Sequence, residues 1–243
     1  MAVYLFQKTM FLSLKKYNLD KEGIEFFRGF SKEDKIKIKA FFEEKLFNII
    51  GSKKKYRISN YHNWFKKEKI QHEKIMTAKN RHCVPPKYIK NIFFSKEKPF
   101  YKNLKKKIGS FKLHDEGIGW LSFRLIRPYK FNDGYDLSKK VWGPGGELFS
   151  VIFSISPSSK YNSVGFVVGS HKKKYKSKID NKSKFCKSEY RFDGNIKNLK
   201  ITRFKIRSSN CAIFDPKLLH CEKPDIKSNL TRFSAEIRFR KND

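Results

Sequence analysis

The sequence predicts a mostly β fold with flanking helices, in the α+β class, and three observations carry that expectation. From Trp120 onward, short runs rich in aromatic and β-branched residues recur, at Trp120–Ile126, Leu148–Ser156, Gly165–Val168, Leu199–Ile206, Cys211–Phe214 and Arg232–Arg240. Clusters of Gly, Pro, Asn, Asp and Ser separate them, the punctuation of an all-β sandwich or barrel rather than of alternating strand and helix. Ahead of Gly117 that texture is missing and the apolar spacing is helical or irregular. Hydrophobic residues are only 39% of the chain, but its 24 Phe supply large buried areas, so 243 residues suffice for one core with a helical cover.

In chain order, Met1 to Leu14 is mildly apolar but interrupted by Gln7 and Lys8, and lacks the charged start and long apolar stretch of a signal peptide. The clearest helix opens at Ser31, an N-cap with Asp34 reaching back from the N3 position. Ile36, Ile38, Phe41, Phe42, Leu46, Ile49 and Ile50 give it an apolar face, and Gly51 stops it. Residues 52–74 interleave Tyr56, Tyr61, Trp64 and Phe65 with charges, a pattern of amphipathic helices covering a sheet or, alternatively, of aromatic stacking on single-stranded nucleic acid. Farther on, Leu148 to Ile155 is nearly all apolar, as in a central strand. Arg232 to Phe239 alternates, which predicts a strand with one solvated face. Lys172–Asn198 is polar and charged and reads as a long surface insertion. A single domain is expected: residues 1–117 as a helical flank packed on the barrel, and 118–243 as a jelly-roll core with a basic insertion at about 172–198.

The formal charge of +33 comes from lysines spread over the whole chain. It fits a polyanionic partner, nucleic acid included, through non-specific charge, and equally a coding bias that favours Lys, Asn, Ile, Phe and Tyr. Cys83, Cys186, Cys211 and Cys221 show no CxxC spacing and suggest neither a metal cluster nor required disulfides. No stretch approaches the ~18 apolar residues of a membrane span, and a cytoplasmic protein is expected.

Candidate chemistry gathers at the C-terminal end. Cys211 to Asp215 is a strand running into a turn at Pro216; His220 follows, and Arg232-Phe233-Ser234 opens the last strand. On neighbouring strands of a barrel, His220 supplies a nitrogen for a transition metal, Arg232 a planar fork for a carboxylate, and Ser234 a further hydrogen bond. Each also has a plain structural reading: His220 bonded to backbone, and Arg232 paired with Glu236. No glycine-rich phosphate loop, serine-histidine-aspartate elbow or paired-carboxylate hydrolase motif competes.

Over roughly its last 125 residues the chain resembles the phytanoyl-CoA dioxygenase family. The matching pieces are Arg124-Leu125-Ile126-Arg127-Pro128, Val168-Gly169-Ser170-His171, the run from Phe214 to His220, and Arg232-x-Ser234. The resemblance implies a double-stranded β-helix, Fe(II) held by two His and one carboxylate, 2-oxoglutarate bound by Arg232 and Ser234, His220 as the distal metal ligand, and hydroxylation of a small, possibly anionic, metabolite. It also implies a His-x-Asp just before Trp142-Gly143, where this chain has Leu137 and Lys139. Asp136, or Asp133, stands near enough to supply an oxygen ligand, although Asn132-Asp133-Gly134 is also a turn signature. His114-x-Glu116 and Glu147 are the other carboxylate candidates, and both also read as surface positions. The resemblance therefore points either to a dioxygenase with a non-standard metal site or to an inactive relative that binds an anionic ligand or partner.

Overall fold

A computed structural model describes residues 17–51, 57–64, 72–115, 117–133, 137–140, 148–179 and 189–242. The elements in chain order are α1 (Leu19–Glu22), β1 (Ile24–Arg28), α2 (Lys32–Ile50), α3 (Tyr61–Trp64), α4 (His72–Ile75), α5 (Ala78–Arg81), β2 (His82–Cys83), α6 (Lys87–Phe94), α7 (Pro99–Ile108), β3 (Phe111–Leu113) and β4 (Leu121–Ile126). They continue with β5 (Leu137–Lys140), β6 (Leu148–Ser154), β7 (Gly165–Phe166), β8 (Ser177–Ile179), β9 (Glu189–Phe192), β10 (Thr202–Arg203), β11 (Asn210–Phe214), β12 (His220–Cys221) and β13 (Arg232–Lys241). The larger sheet runs β1-β11-β6-β13-β4-β2, with β3 also on β13; the smaller runs β10-β7-β12-β5-β9-β8. Every pairing is antiparallel, so the fold is the predicted mostly β jelly roll with helices.

The strand β13 shows how the sequence builds two different layers. Phe233, Ala235, Ile237 and Phe239 are wholly buried and join Phe123, Leu125, Val151, Phe153 and Ile213 in one core with the helices. Phe30 of the β1–α2 turn lies 4.9 Å from Phe153 and 5.6 Å from Phe100 of α7, ring centre to ring centre. Phe100 in turn meets Phe93 of α6 edge-on at 5.0 Å. Such aromatic contacts explain how a chain of modest apolar content fills its interior. A second apolar cluster, including Ile152, Phe166, Phe204, Phe214 and Leu218, joins the two sheets.

The other face of β13 corrects an expectation. Arg232, Ser234, Glu236 and Arg238, predicted to be solvated, are 3%, 2%, 7% and 7% exposed. Period-2 alternation separates two faces but does not say what the polar one meets; here it meets the interior between the sheets.

Two further differences concern chain organisation. The flank over 1–117 contributes strands as well as helices: β1 pairs with β11, β2 with β4, and β3 with β13. The basic stretch over 172–198 carries β8 and β9, which pair with each other and extend the smaller sheet through β5. Their charge content hid a pairing that uses backbone groups alone.

The predicted helix forms as α2, with a complete capping box at Ser31 and Asp34, and Gly51 ends it at φ 71°. Its buried stripe is Asp34, Ile38, Phe42 and Leu46, while Ile36 is 61% exposed. Asp34 accepts from Lys98 at 2.8 Å as well as from Ser31. Burial pushes its carboxyl up, but the bonds from Lys98 and Ser31 outweigh this and hold it below its ordinary value. Ser31→Ala is expected to cost about 1 kcal/mol, read as a lower urea midpoint at unchanged slope. No described helix is long and apolar enough to cross a membrane.

Candidate functional site

His220 sits on β12, a two-residue strand flanked on one side by Phe166 of β7 and on the other by Ser138 of β5. A segment so short needs outside anchors, and the Gly169-Ser170-His171 turn supplies them. Ser170 Oγ accepts from the Leu219 amide at 2.8 Å. The turn itself is tied to α1, through the Gly169 amide to Glu22 O at 2.8 Å and His171 Nε2 to Asp20 O at 3.2 Å. Gly23 permits that contact, since a Cβ there would lie 2.5 Å from His171 Nδ1. His220 Nδ1 is 2.8 Å from Leu218 O and donates to it, which fixes the orientation of the ring. The Phe214 and Phe166 rings lie 5.3 and 6.4 Å from the imidazole.

The register places the Leu137-x-Lys139 stretch beside His220, because Ser138 is its direct partner and Leu137 pairs with Cys221. Leu has no donor atom, and a lysine ammonium repels a cation. Among the described residues no group of three His, Cys, Asp or Glu is placed to hold a metal ion. These residues do not fit a site of two imidazoles and one carboxylate. Asp136, Glu116 and Glu147 lie outside the described residues.

Asp133, weighed as an oxygen ligand, is committed elsewhere. Arg127 grips its two carboxylate oxygens at 2.7 Å each, and the Arg127 amide donates to Oδ2 at 2.8 Å. His72 Nε2 adds a fourth contact at 3.3 Å, while His72 Nδ1 lies 3.2 Å from the Tyr61 hydroxyl. Burial pushes His72 down to about 4 despite the nearby Asp133 charge. The imidazole is therefore neutral at pH 7, donating to Asp133 through Nε2 and accepting from Tyr61 through Nδ1. His114 lies away from Arg232, its amide on Arg238 O six residues along β13, about 20 Å at the strand rise.

Between the sheets lies a charged layer. Arg124 donates from Nε to Glu222 at 3.1 Å and from Nη2 to Glu236 at 3.2 Å. Glu236 also accepts from Arg238 Nε at 3.0 Å and Ser150 Oγ at 3.1 Å. Glu236 is thus the partner of Arg124 and Arg238, whereas the plain reading paired it with Arg232. Glu222 was missed in the sequence: it lies just past the end of β12, two residues after His220.

Arg232 is held differently. Nη1 donates to Asn162 O at 3.2 Å, while Nε and Nη2 are buried with no acceptor. Two residues along, Ser234 Oγ is likewise buried and unbonded. Burial lowers the guanidinium to about 10, with Glu222 acting in the opposite direction and Arg203 and Arg124 adding to the fall. It stays protonated at pH 7. Buried donors are nearly always paired, so these neighbouring unpaired groups are exceptions to the rule that the rest of the layer follows.

No family model matches the chain, and no curated protein matches it in sequence. Solved structures do. EvdMO1 superposes at TM-score 0.56 and 10% identity over 93% of this chain, which spans about half (49%) of that protein. The non-haem α-ketoglutarate-dependent carbocyclase SnoK, from nogalamycin biosynthesis, matches at 0.58 and 9%, over 93% of this chain and 82% of its own. EvdO2 from Micromonospora carbonacea var. aurantiaca, solved with 2-oxoglutarate, matches at 0.50 and 11%, over 93% and 89%. At such identities the likeness is one of fold alone: the chain carries a double-stranded β-helix.

Proposed function

We propose that this protein binds 2-oxoglutarate, or a close dicarboxylate relative, inside its barrel, with Arg232 and Ser234 holding one carboxylate. One observation carries the reading: three buried donor atoms on two adjacent inward positions of β13, Arg232 Nε and Nη2 and Ser234 Oγ, have no acceptor. A carboxylate satisfies a guanidinium fork and a hydroxyl together, and charge-assisted bonds of this kind are strong. The chain is read as a divergent relative of the phytanoyl-CoA dioxygenases in which Leu137 and Lys139 replace the His-x-Asp, so binding rather than oxygen chemistry is the function proposed.

Isothermal titration of the full chain with 2-oxoglutarate, free of metal, tests this. Binding is expected, and at a ligand concentration a hundredfold above Kd the fold should gain about 2.7 kcal/mol. No heat and no thermal shift at millimolar ligand would overturn it.

A second reading, an Fe(II)-dependent hydroxylase with a non-standard metal site, is favoured by the bond of His220 Nδ1 to Leu218 O, the kind of backbone contact that orients a metal-ligating imidazole. Asp136 is then the candidate oxygen ligand. Anaerobic addition of Fe(II) and 2-oxoglutarate separates the two readings. A visible charge-transfer band that disappears in His220→Ala supports the hydroxylase, and unchanged 2-oxoglutarate binding without such a band supports the binding protein.

A further inference from the structure

Asn162 lies in the turn between β6 and β7 and is 1% exposed. Its backbone contacts Arg232, and its side chain carries a buried donor with no partner. The carbonyl accepts from Arg232 Nη1 at 3.2 Å, which fixes one corner of the guanidinium and leaves Nε and Nη2 to face elsewhere. The side-chain Oδ1 accepts from the Ser159 amide at 2.8 Å, and Ser159 Oγ accepts from the Asn162 amide at 3.2 Å. This reciprocal pair settles the orientation of the carboxamide, because a flip would set its NH2 group against the Ser159 N–H. Nδ2 must therefore point the other way, where it is buried and has no partner.

Four donor atoms thus stand unpaired on three residues: Asn162 Nδ2, Arg232 Nε, Arg232 Nη2 and Ser234 Oγ. Of these only the serine hydroxyl can also accept. A water molecule suits such a place poorly, since its own hydrogens would find almost nothing to bond. The surrounding charge favours an anion. The carboxylate acting on Arg232 is Glu222, whose Oε1 is already engaged by Arg124, while Arg203 and Arg124 add positive charge.

We propose that Asn162 is a ligand-binding residue: its Nδ2 completes, with Arg232 and Ser234, a cradle of donors for an ionised carboxylate. The inference rests on the dicarboxylate reading given above and deepens it, because a donor-only cradle discriminates against an uncharged carboxamide of the same shape. A carboxamide presents an NH2 group to groups that already donate, and only Ser234 Oγ can receive it.

The test uses the full chain and two ligands, 2-oxoglutarate and the neutral diamide glutaramide, titrated calorimetrically against the wild type and Asn162→Asp. Asn162→Asp keeps the oxygen that caps the Ser159 amide, so the turn is retained, but it turns the ligand-facing donor into a carboxylate oxygen beside Arg232. The wild type is expected to bind 2-oxoglutarate and not glutaramide. Asn162→Asp is expected to bind 2-oxoglutarate about 10- to 100-fold more weakly, the usual loss for a bond to a charged group. Its urea midpoint should be equal to or above that of the wild type, because Arg232 gains a fixed counter-charge. A variant that binds 2-oxoglutarate as the wild type does overturns the role of Asn162 and leaves the dicarboxylate reading standing. A wild type that binds glutaramide as tightly as 2-oxoglutarate overturns the cradle's selectivity. A wild type that binds no 2-oxoglutarate overturns the underlying reading itself.

Discussion

Glu236→Gln is expected to lower the stability of the fold by about 3–5 kcal/mol, because it removes the charge that two buried guanidiniums share. Arg124 and Arg238 are 3% and 7% exposed, and both donate to the Glu236 carboxylate, which also accepts from Ser150. A glutamine keeps the shape and one acceptor but none of the charge. It leaves Arg124 with Glu222 and Arg238 with a weaker partner in a place where burial already lowers Arg238 to about 9. Against a total of about 5–15 kcal/mol for a domain, that loss brings the chain close to unfolding at room temperature. Urea titration of Glu236→Gln measures it. The companion Glu236→Leu/Arg238→Met separates charge from packing: removing both partners should cost much less than removing the acid alone. If Glu236→Gln unfolds at the wild-type midpoint, the layer between the sheets is solvated and the burial account is wrong.

The second large effect is on pH. Burial drives both His72 and His82 down to about 4, from an ordinary value near 6.5. Between those values the unfolded chain takes up a proton at each histidine and the folded chain does not. Stability is therefore full above about pH 6.5 and falls as the pH drops toward 4. For His72 a shift of that size corresponds to about 3 kcal/mol. His82, whose Nδ1 donates to Gly119 O at 3.1 Å, is pushed to the same value and adds a contribution of similar size. Asp34 loses its contribution only below its ordinary range, so the two windows are distinct. Urea midpoints taken from pH 7 to pH 4.5 should fall steadily in the wild type and about half as far in His72→Gln, where His82 alone remains. A midpoint that holds flat across that interval would falsify the neutral, buried assignment of His72.

What could be read beforehand divides along a physical line. Local signals were sufficient where one residue decides the outcome: the Ser31 cap, the Gly51 stop and the alternation of β13. They failed where the deciding partner is far away in sequence. Ile24–Arg28 becomes an edge strand only because Cys211 to Phe214 lies beside it, and β12 is two residues long and exists through its neighbours. The same blindness turned the inner face of β13 into a solvated one, since polar spacing looks alike whether it meets water or a second charged layer. In the proposed site, Arg232, Ser234 and His220 stand out in the sequence because they match a spaced motif. Glu222 and Asn162 do not, because a glutamate beside a strand and an asparagine in a Tyr-Asn-Ser turn resemble ordinary surface residues until their partners are seen.

The position of β13 also bears on how the chain reaches this state. It is the last strand in sequence, yet it stands inside the larger sheet, hydrogen-bonded to β6 on one side and to β4 and β3 on the other. On the ribosome every strand it joins is made before it. Until Arg232 to Lys241 emerges, β4 and β6 each present a bare edge. One segment thus joins two strands that do not pair with each other, and both edges are closed by the same ten residues.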